Sequence, residues 1–275
     1  GFTAPVLWVN DVTYAGLLET TPWPSLYDVT DDWLLESVPP RELARRRRLD
    51  ALLLEQADEV VVCSPALAAS RGAARPVTLI PNGVDVAHFR APRPRPADLP
   101  PAPVAVYVGT LQEERLDVAL VAELAKGVPG LAVTLVGPDA LSMSSREELD
   151  AAGVLRLGPR PYRDVPAYLQ HADVIIIPHR VTPFTESLDP IKAYECLAVG
   201  RPTVATLVAG FRALDGPVTT AVRGRFVAEV TNQLAQVAPA RTHQRLPAAD
   251  WHVRVSSFHA ALSRSTSREH RRWTM

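Results

Sequence analysis

Short apolar runs, many of them rich in β-branched residues, recur along nearly the whole chain and are separated by stretches of helical period. This alternation is typical of parallel strands joined by crossover helices, because strands buried on both faces are almost continuously apolar. The pattern therefore predicts an α/β fold. The predicted strands are residues 6–9, 25–29, 59–63, 78–80, 104–108, 132–136, 154–157, 174–177 and 203–206.

A proline-rich segment, residues 89–103, interrupts this pattern. Its six prolines exclude a helix and a central strand alike, so we interpret it as a linker. The linker separates a first domain, residues 1–88, from a second domain, residues 104–245. The remaining residues, 246–275, have apolar positions three or four apart, which predicts a C-terminal helix; these positions are Trp251, Val255, Phe258 and Leu262.

Composition narrows the class of protein. The chain is 47% hydrophobic with a formal net charge of −1, as expected for a globular protein without general attraction to polyanions. We therefore expect no nucleic-acid partner. Cys63 and Cys196 each lie in an apolar run, which favours buried thiols over a disulfide framework or a zinc site and fits a cytoplasmic protein. No apolar run reaches the roughly 18 residues that a membrane span needs.

The clearest candidate site follows the predicted strand 174–177. Residues 179–189 form a loop that leads into a helical run beginning at Pro190, with Asp189 as the predicted N-cap and Gly200 as its end. Ligands of open α/β sheets bind at the carboxyl ends of strands, and a helix N-terminus attracts phosphate. His179 and Arg180 open this loop and are functional candidates.

Lys192 and Glu195 lie three residues apart in that helix and share a face. A cation for a diphosphate and a carboxylate for ribose hydroxyls would suit a nucleotide sugar. The alternative is a surface ion pair. Only two of the 29 basic residues are lysine, and this rarity favours a specific role for Lys192.

A second candidate is the strand 104–108, which leads directly into Gly109 and is followed by Arg115. A glycine at this position lets the backbone approach a ligand closely, and its N–H is a candidate phosphate donor. A simple tight turn is an equal alternative.

Four segments resemble, in order and spacing, the motifs of retaining glycosyltransferases of the GT-B fold, family four. They are residues 80–85 (IPNGVD), 104–111 (VAVYVGTL), 157–162 (LGPRPY) and 186–202 (ESLDPIKAYECLAVGRP), and the resemblance covers roughly residues 58–262.

The resemblance implies two Rossmann-like domains, with nucleotide-sugar binding in the second and the C-terminal helix packing back toward the first. Arg115 stands where the family has a diphosphate-binding lysine, and Thr110 where it has an arginine. The family's paired glutamates lie eight apart, whereas Glu186 lies nine before Glu195 and position 187 is serine. The implied donor-binding residues are Gly109, Thr110, Arg160, Tyr162, His179, Arg180, Glu186, Ser187, Leu188, Asp189 and Glu195.

The first domain carries polar residues at its strand ends, including Asn10 and Asp11. Asp28 lies where the family often has a histidine near the reacting sugar, so the implied catalytic residues are Asp28, Arg115 and Lys192. Asp31 and Asp32 can orient an acceptor or cap a helix at Trp33, and capping is the preferred interpretation. About 85 residues precede the linker against roughly 170 in a typical first domain, so we expect this domain to be incomplete.

Two basic runs, Arg45–Arg48 and the group Arg268, Arg271 and Arg272, are interpreted either as solvated faces or as peripheral contacts with the inner face of a membrane.

The expected function is transfer of a hexose-like sugar from a UDP or GDP sugar to an acceptor hydroxyl, with retention, in glycan, glycolipid or glycosylated-metabolite biosynthesis. Protein cations would neutralise the diphosphate, so no metal and no other cofactor is expected. Two alternatives remain open: a non-catalytic sugar-nucleotide-binding relative that regulates or scaffolds a partner, and a sugar-nucleotide epimerase on the same fold.

Overall fold

The computed structural model describes residues 5–212, 218–236 and 249–272, with side chains up to residue 266 in the last range. The strands in these ranges are β1 (Leu7–Val9), β2 (Ser25–Val29), β3 (Glu59–Val62), β4 (Thr78–Leu79), β5 (Val104–Val108), β6 (Ala132–Val136), β7 (Leu155–Gly158), β8 (Val174–Ile177), β9 (Thr203–Thr206) and β10 (Val218–Ala221).

Helices alternate with these strands. They are α1 (Leu17–Thr20), α2 (Pro40–Gln56), α3 (Pro65–Gly72), α4 (Val86–Arg90), α5 (Val118–Gly127), α6 (Met143–Ala151), α7 (Val165–Gln170), α8 (Pro183–Glu186), α9 (Ile191–Val199), α10 (Ala209–Arg212), α11 (Phe226–Ala235) and α12 (Trp251–Arg272). Single 3₁₀ turns cover Val12–Tyr14, Tyr162–Asp164 and Arg223–Arg225.

The strands form two parallel sheets, one of order β1-β2-β3-β4 and one of order β10-β9-β8-β5-β6-β7. The predicted α/β class is confirmed, and the nine predicted strands lie within one residue of their observed bounds. Strand β10 was missed, because its sequence VTTA is short and half polar and lacks the apolar run that marks the other strands.

The described residues divide into two compact units. The first draws on Gly1–Gly83, Glu186–Asp189 and Pro247–Met275, and the second on Val84–Thr185 and Pro190–Leu246. Phe89, at the start of the predicted linker, is fully buried in the core of the second unit.

The first unit has a core on each face of its sheet. Side chains of β1, β2 and β3 pack against α2 and α3 on one face. On the other face Leu26, Val61 and Ile80 contact Phe258, Ala261 and Leu262 of α12. Of the apolar positions predicted for the C-terminal helix, Phe258 and Leu262 cover this sheet face, whereas Val255 is 61% exposed.

The second unit also buries both faces of its sheet, in two clusters that share β5, β6 and β8. The four residues of β8, Val174–Ile177, are fully buried, which explains why this strand is continuously apolar. Cys63 and Cys196 are buried free thiols, as predicted, and burial raises the pKa of each to about 12.

Candidate functional site

The candidate site of the second unit lies where strand order reverses. From β5 the chain proceeds through β6 to β7 on one side of the sheet, then returns to β8 on the other. Strands β5 and β8 are neighbours, so the loops at their carboxyl ends are adjacent at the position where open α/β sheets bind ligands. Backbone bonds join these loops: Asp117 N–H donates to Pro178 O (2.8 Å) and Arg180 N–H to Arg115 O (2.7 Å).

Lys192 packs directly onto Gly109. A Cβ on Gly109 would lie 2.5 Å from Lys192 Cε and 2.6 Å from its Nζ, and Gly109 has a φ of +152°. The ammonium group also lies over the ring of Tyr107, with Nζ 5.6 Å from its centroid. The glycine thus makes room for a lysine, and the lysine occupies the carboxyl end of β5.

The prediction that the N–H of Gly109 binds phosphate is wrong, because this N–H donates to Val136 O at 2.8 Å. Gly137 permits the close approach, since a Cβ there would lie 2.0 Å from the carbonyl oxygen of Gly109. Thr110, the next residue, is exposed at the end of the strand.

Helix α9 carries Lys192 and Glu195. It ends at Gly200, which has a φ of 72° and donates its N–H to Cys196 O, as predicted. The predicted N-cap is wrong: Pro190 occupies the N-cap position and provides no side-chain cap. Among the ion pairs of the described residues none joins Lys192 to Glu195, which argues against the surface ion pair as the reason for their spacing.

Burial raises the pKa of Glu195 above the ordinary glutamate value of 4.5, while the charges of Lys192 and His88 act in the opposite direction. Burial thus outweighs two nearby cations. A partly buried carboxylate such as that of Glu195 is stabilised when it accepts hydrogen bonds, for example from hydroxyl groups of a ligand.

His179 is 3% exposed, and neither ring nitrogen has a hydrogen-bond partner. Burial, with contributions from Lys192 and Arg115, lowers the pKa of His179 to about 3. The ring lies between Tyr107 and Phe211, 6.1 Å from each. His179 is therefore neutral at physiological pH and adds no positive charge to the site.

Arg115 and Arg180 have different surroundings. The guanidinium of Arg115 lies over the Phe184 ring, 5.1 Å from its centroid. Arg180 is exposed and donates from Nη1 to Glu113 O at 3.0 Å.

The loop after β7 presents an exposed aromatic surface. Tyr162 stacks on His88, with ring centroids 4.7 Å apart and planes 16° apart, and it is 57% exposed. Burial, then the charges of Glu195 and Asp85, raise the pKa of Tyr162. Arg160 instead pairs with Asp98 (2.5 Å) and donates from Nε to the Tyr168 hydroxyl (2.8 Å), so its side chain holds this loop in place.

Residues Glu186–Asp189 belong to the first unit. The hydroxyl of Ser64 donates to Ser187 O (2.6 Å), while the Asn82 N–H and side-chain amide donate to the carboxylate and carbonyl of Asp189 (2.6 Å each). Ser187 and Leu188 are buried. Asp189 thus accepts from Asn82 instead of capping α9.

Asp28 belongs to the first unit, next to the last residue of β2. It accepts a hydrogen bond from the Trp8 indole N–H (3.1 Å), and the Trp8 ring lies 5.0 Å from that of Phe258. Burial raises the pKa of Asp28, against the effect of the Trp8 bond. Trp8, which the sequence did not indicate, is thus the partner of the predicted catalytic carboxylate.

The predicted capping role of Asp32 is wrong, because residues 33–36 form a turn and not a helix. Asp32 is buried and pairs with Arg71 of α3 (Oδ1–Nη2, 2.8 Å). One carboxylate oxygen also accepts the Leu34 N–H at 3.3 Å, which stabilises the turn.

Comparison with known families identifies the second unit. Residues 102–238 match the family model described as glycosyl transferases group 1. These residues form a group 1 glycosyl transferase domain. The chain is also similar to TuaH of Bacillus subtilis (strain 168), which is named as a teichuronic acid biosynthesis glycosyltransferase; it is 32% identical over 102 residues, 36% of this chain and 25% of TuaH. The matched part thus spans a quarter of that relative.

This chain is also similar to solved structures that have the two-domain GT-B fold. A trehalose-phosphate synthase from Burkholderia vietnamiensis gives a TM-score of 0.69 at 14% identity, covering 96% of this chain and 75% of the other. Sucrose-phosphate synthase from Thermosynechococcus elongatus gives 0.67 at 19%, covering 96% and 69%. Anabaena HepE, solved with UDP and glucose, gives 0.64 at 17%, covering 97% and 76%.

The candidate residues that follow β5 and β8 were predictable from the sequence. Two residues that lie next to them only in the folded chain, His88 and Tyr107, were not. His88 lies 74 positions before its stacking partner Tyr162, and Tyr107 faces Lys192 from inside a buried strand. Because alternate residues of a strand lie on the same face, Tyr107 could have been predicted to share a face of β5 with Gly109.

Two further features concern only the described residues. None of their helices is both long enough and apolar enough to cross a bilayer. No group of three or more His, Cys, Asp or Glu side chains within residues 5–212, 218–236 and 249–272 is arranged to hold a metal ion. In the predicted basic runs, Arg46 pairs with Glu36 and Glu42, whereas the side chains of Arg268, Arg271 and Arg272 lie outside the described residues.

Proposed function

We propose that this protein transfers a hexose-like sugar from a UDP or GDP sugar to an acceptor hydroxyl, with retention of anomeric configuration. The observation that carries the proposal is the placement of Lys192 on Gly109, with the partly buried carboxyl of Glu195 one helical turn away, in a group 1 glycosyl transferase domain. HepE, which has the same fold, was solved with UDP and with UDP-glucose.

In this proposal Lys192 and Arg115 neutralise the diphosphate as it departs. Both cations act on the electrostatics at the His179 ring, so they belong to one local group at the carboxyl ends of β5 and β8. Positive charge that is already fixed where negative charge develops lowers a transition-state barrier without later reorganisation. The same two side chains would make a resident metal unnecessary.

Glu195 would accept hydrogen bonds from the ribose hydroxyls, and the exposed Tyr162–His88 stack would contact the base. The stack and Glu195 act on each other electrostatically, since the charge of His88 lowers the pKa of Glu195 and that of Glu195 raises the pKa of Tyr162. A flat aromatic face beside a hydroxyl-binding carboxylate matches the two ends of a nucleoside.

The remaining predicted roles belong to this proposal. Asp28 would act near the reacting sugar, and Thr110, Arg160, Arg180 and the segment Glu186–Asp189 would contact or shape the donor. We place the reaction in the cytoplasm, in biosynthesis of a glycan, glycolipid or glycosylated metabolite, with peripheral contact to the inner face of the membrane.

The first test is calorimetric titration of the protein with UDP, GDP and their common hexose conjugates, together with Lys192→Ala and Glu195→Ala. Loss of a charged hydrogen bond costs about 1.5–3 kcal/mol, so we expect each variant to bind the preferred nucleotide roughly 10- to 100-fold more weakly. Lys126→Ala, the only other lysine and exposed on α5, is the matched control. Absence of binding to every nucleotide would refute the donor site.

The second test separates an enzyme from a non-catalytic relative and from an epimerase. Incubation of the preferred UDP or GDP sugar with a panel of hydroxyl acceptors, followed by NMR, should show a new glycosidic linkage with the donor's anomeric configuration. An inverted product would refute retention. Binding without transfer would favour the regulator or scaffold, and an epimerised free nucleotide sugar would favour the epimerase.

A further inference from the structure

Glu113 lies in the loop between β5 and α5, two residues before Arg115. Backbone hydrogen bonds fix both ends of this loop, from the Leu111 N–H to the segment after β6 and from the Asp117 N–H to the segment after β8, at 2.8 Å each. Between these ends, residues 113–115 form a turn. The position of the Arg115 side chain therefore depends on the contacts that hold this turn.

The carboxylate of Glu113 joins the turn to the start of helix α6. Its Oε1 atom accepts from the Ser142 N–H at 3.0 Å and from the hydroxyls of Ser142 and Ser145 at 2.6 Å each. Ser142 is the N-cap of α6, where the partial positive charge of the helix favours a carboxylate. The hydrogen bonds from Ser142, then that from Ser145, lower the pKa of Glu113 to about 2, so the side chain is ionised at physiological pH.

The backbone of the same residue holds the turn from the β8 side. The Glu113 carbonyl accepts from Arg180 Nη1 at 3.0 Å, and the Arg180 N–H donates to the Arg115 carbonyl at 2.7 Å. Glu113 thus connects the segments that follow β5, β6 and β8. These segments meet at the sheet edge where the diphosphate of the donor is proposed to bind.

We propose that Glu113 is a positioning residue, which holds this turn so that the guanidinium of Arg115 faces the diphosphate of the nucleotide sugar. The inference rests on the proposed function, in which Arg115 is one of the two diphosphate cations. A cation on a turn that is already ordered binds phosphate more tightly than one on a mobile turn, because binding does not then have to order the chain.

The test is a double-mutant cycle on the whole protein, which measures whether Glu113 acts through Arg115. Calorimetric titration with UDP and GDP compares the parent, Glu113→Ala, Arg115→Ala and the double variant. Glu113→Ala should weaken binding of the preferred nucleotide about 3- to 10-fold in the parent and should have no further effect in the Arg115→Ala protein. An equal loss in both backgrounds, or an unchanged affinity of Glu113→Ala, would overturn the proposal.

Two further variants control for general disturbance of the loop. Glu114→Ala removes the neighbouring carboxylate, which is exposed, and should leave nucleotide affinity unchanged. Glu113→Gln keeps a carbonyl oxygen that can accept from Ser142 and Ser145, so it should bind nucleotide more tightly than Glu113→Ala. If the glutamine variant bound no better than the alanine variant, the hydrogen bonds to α6 would not be what positions Arg115.

Hydrogen exchange without nucleotide separates failure of this inference from failure of the proposed function. The peptide that covers residues 110–117 should exchange several-fold faster in Glu113→Ala than in the parent or in Glu114→Ala. If the parent binds no nucleotide, the proposed function fails and the role of Glu113 in donor binding fails with it, even where faster exchange shows that Glu113 holds the turn. If the parent binds a nucleotide and exchange is equal in all three proteins, the inference alone fails.

Discussion

Lys192 depends on the missing side chain of Gly109. The backbone of Gly109 adopts a φ of +152°, which L side chains rarely adopt, and the space where a Cβ would lie is filled by the lysine's last methylene and ammonium group. Any residue other than glycine at position 109 would therefore strain the backbone, and its side chain would also displace Lys192.

We predict that Gly109→Ala displaces Lys192 and weakens nucleotide binding about as much as Lys192→Ala, while it destabilises the fold by about 1–3 kcal/mol. Gly130→Ala is the control, because Gly130 also has a positive φ (+81°) but nothing lies within 4 Å of its added Cβ. Calorimetry and thermal unfolding of both variants check this. Nucleotide affinity that is equal in the two variants would contradict the steric argument.

Glu195 should make both binding and stability depend on pH. Because its pKa is raised in the folded protein, the folded state holds this proton more tightly than the unfolded state does. Stability contributed by this group is thus present at low pH and is lost as pH rises from the ordinary value through the raised one. The proposed donor binding should have the opposite pH dependence, because the ribose hydroxyls would be bound by the carboxylate form of Glu195.

We therefore predict that Glu195→Gln raises the free energy of unfolding at pH 7 by about 1 kcal/mol, in the range typical of relieving a strained functional site. The gain should shrink as the pH is lowered toward 4.5, and the variant should bind nucleotide more weakly at pH 7 with a flatter pH profile. Denaturant unfolding and titrations at several pH values check this, with exposed Glu148→Gln as control. If the variant were less stable than the parent at pH 7, burial of the Glu195 carboxylate would not destabilise the fold, which would contradict this prediction.

The positions of single residues were predictable when they depend only on neighbouring residues in the sequence. Lys192, Glu195, Gly109 and Gly200 follow from strand and helix ends, which are readable from a few neighbouring positions. Asp189 was misassigned, because its partner Asn82 lies 107 positions earlier and no local pattern records such a pairing.

At the level of elements, a buried charge network joins β2, α2 and α3. Arg71 of α3 lies 2.8 Å from Asp32 and 3.2 Å from Asp50 of α2, and Tyr27 of β2 donates to Asp50 at 2.7 Å. All these residues are buried. The network fixes the turn that follows β2, in which Trp33 lies.

We predict that Arg71→Met lowers the free energy of unfolding by about 3–5 kcal/mol, because it leaves two buried carboxylates without their cation. Arg47→Met, on the exposed side of α2, should change stability by no more than about 0.5 kcal/mol. Urea denaturation followed by circular dichroism compares the two. Similar losses in both variants would mean that the network contributes little.

Strands were predictable from the sequence when all of their residues are buried. Strands such as β8 are buried on both faces and therefore appear as continuous apolar runs, whereas β10, with its two threonines, has no such run. The turn at Trp33 was read as a helix start because aspartate favours both structures. The buried partner Arg71, 39 positions later, draws Asp32 into the ion pair that is observed.

At the scale of the whole molecule, the two sheets have separate hydrophobic cores. The residues proposed to bind the nucleotide sugar all belong to the second unit: Lys192, Arg115, Glu195 and the Tyr162–His88 stack. A ligand that binds only the folded form of one unit stabilises that unit by mass action, so a bound nucleotide should protect the second unit more than the first.

We predict that a saturating nucleotide slows amide hydrogen exchange in the peptides that cover β5, β8 and α9 at least several-fold more than in those that cover β1 and β2. Hydrogen exchange with mass spectrometry resolves both regions in one experiment, and the Lys192→Ala protein should lose only the nucleotide-dependent protection. If the nucleotide chiefly protects β1 and β2 even in this variant, the donor site lies in the first unit, and the assignment of Lys192 and Glu195 must be abandoned.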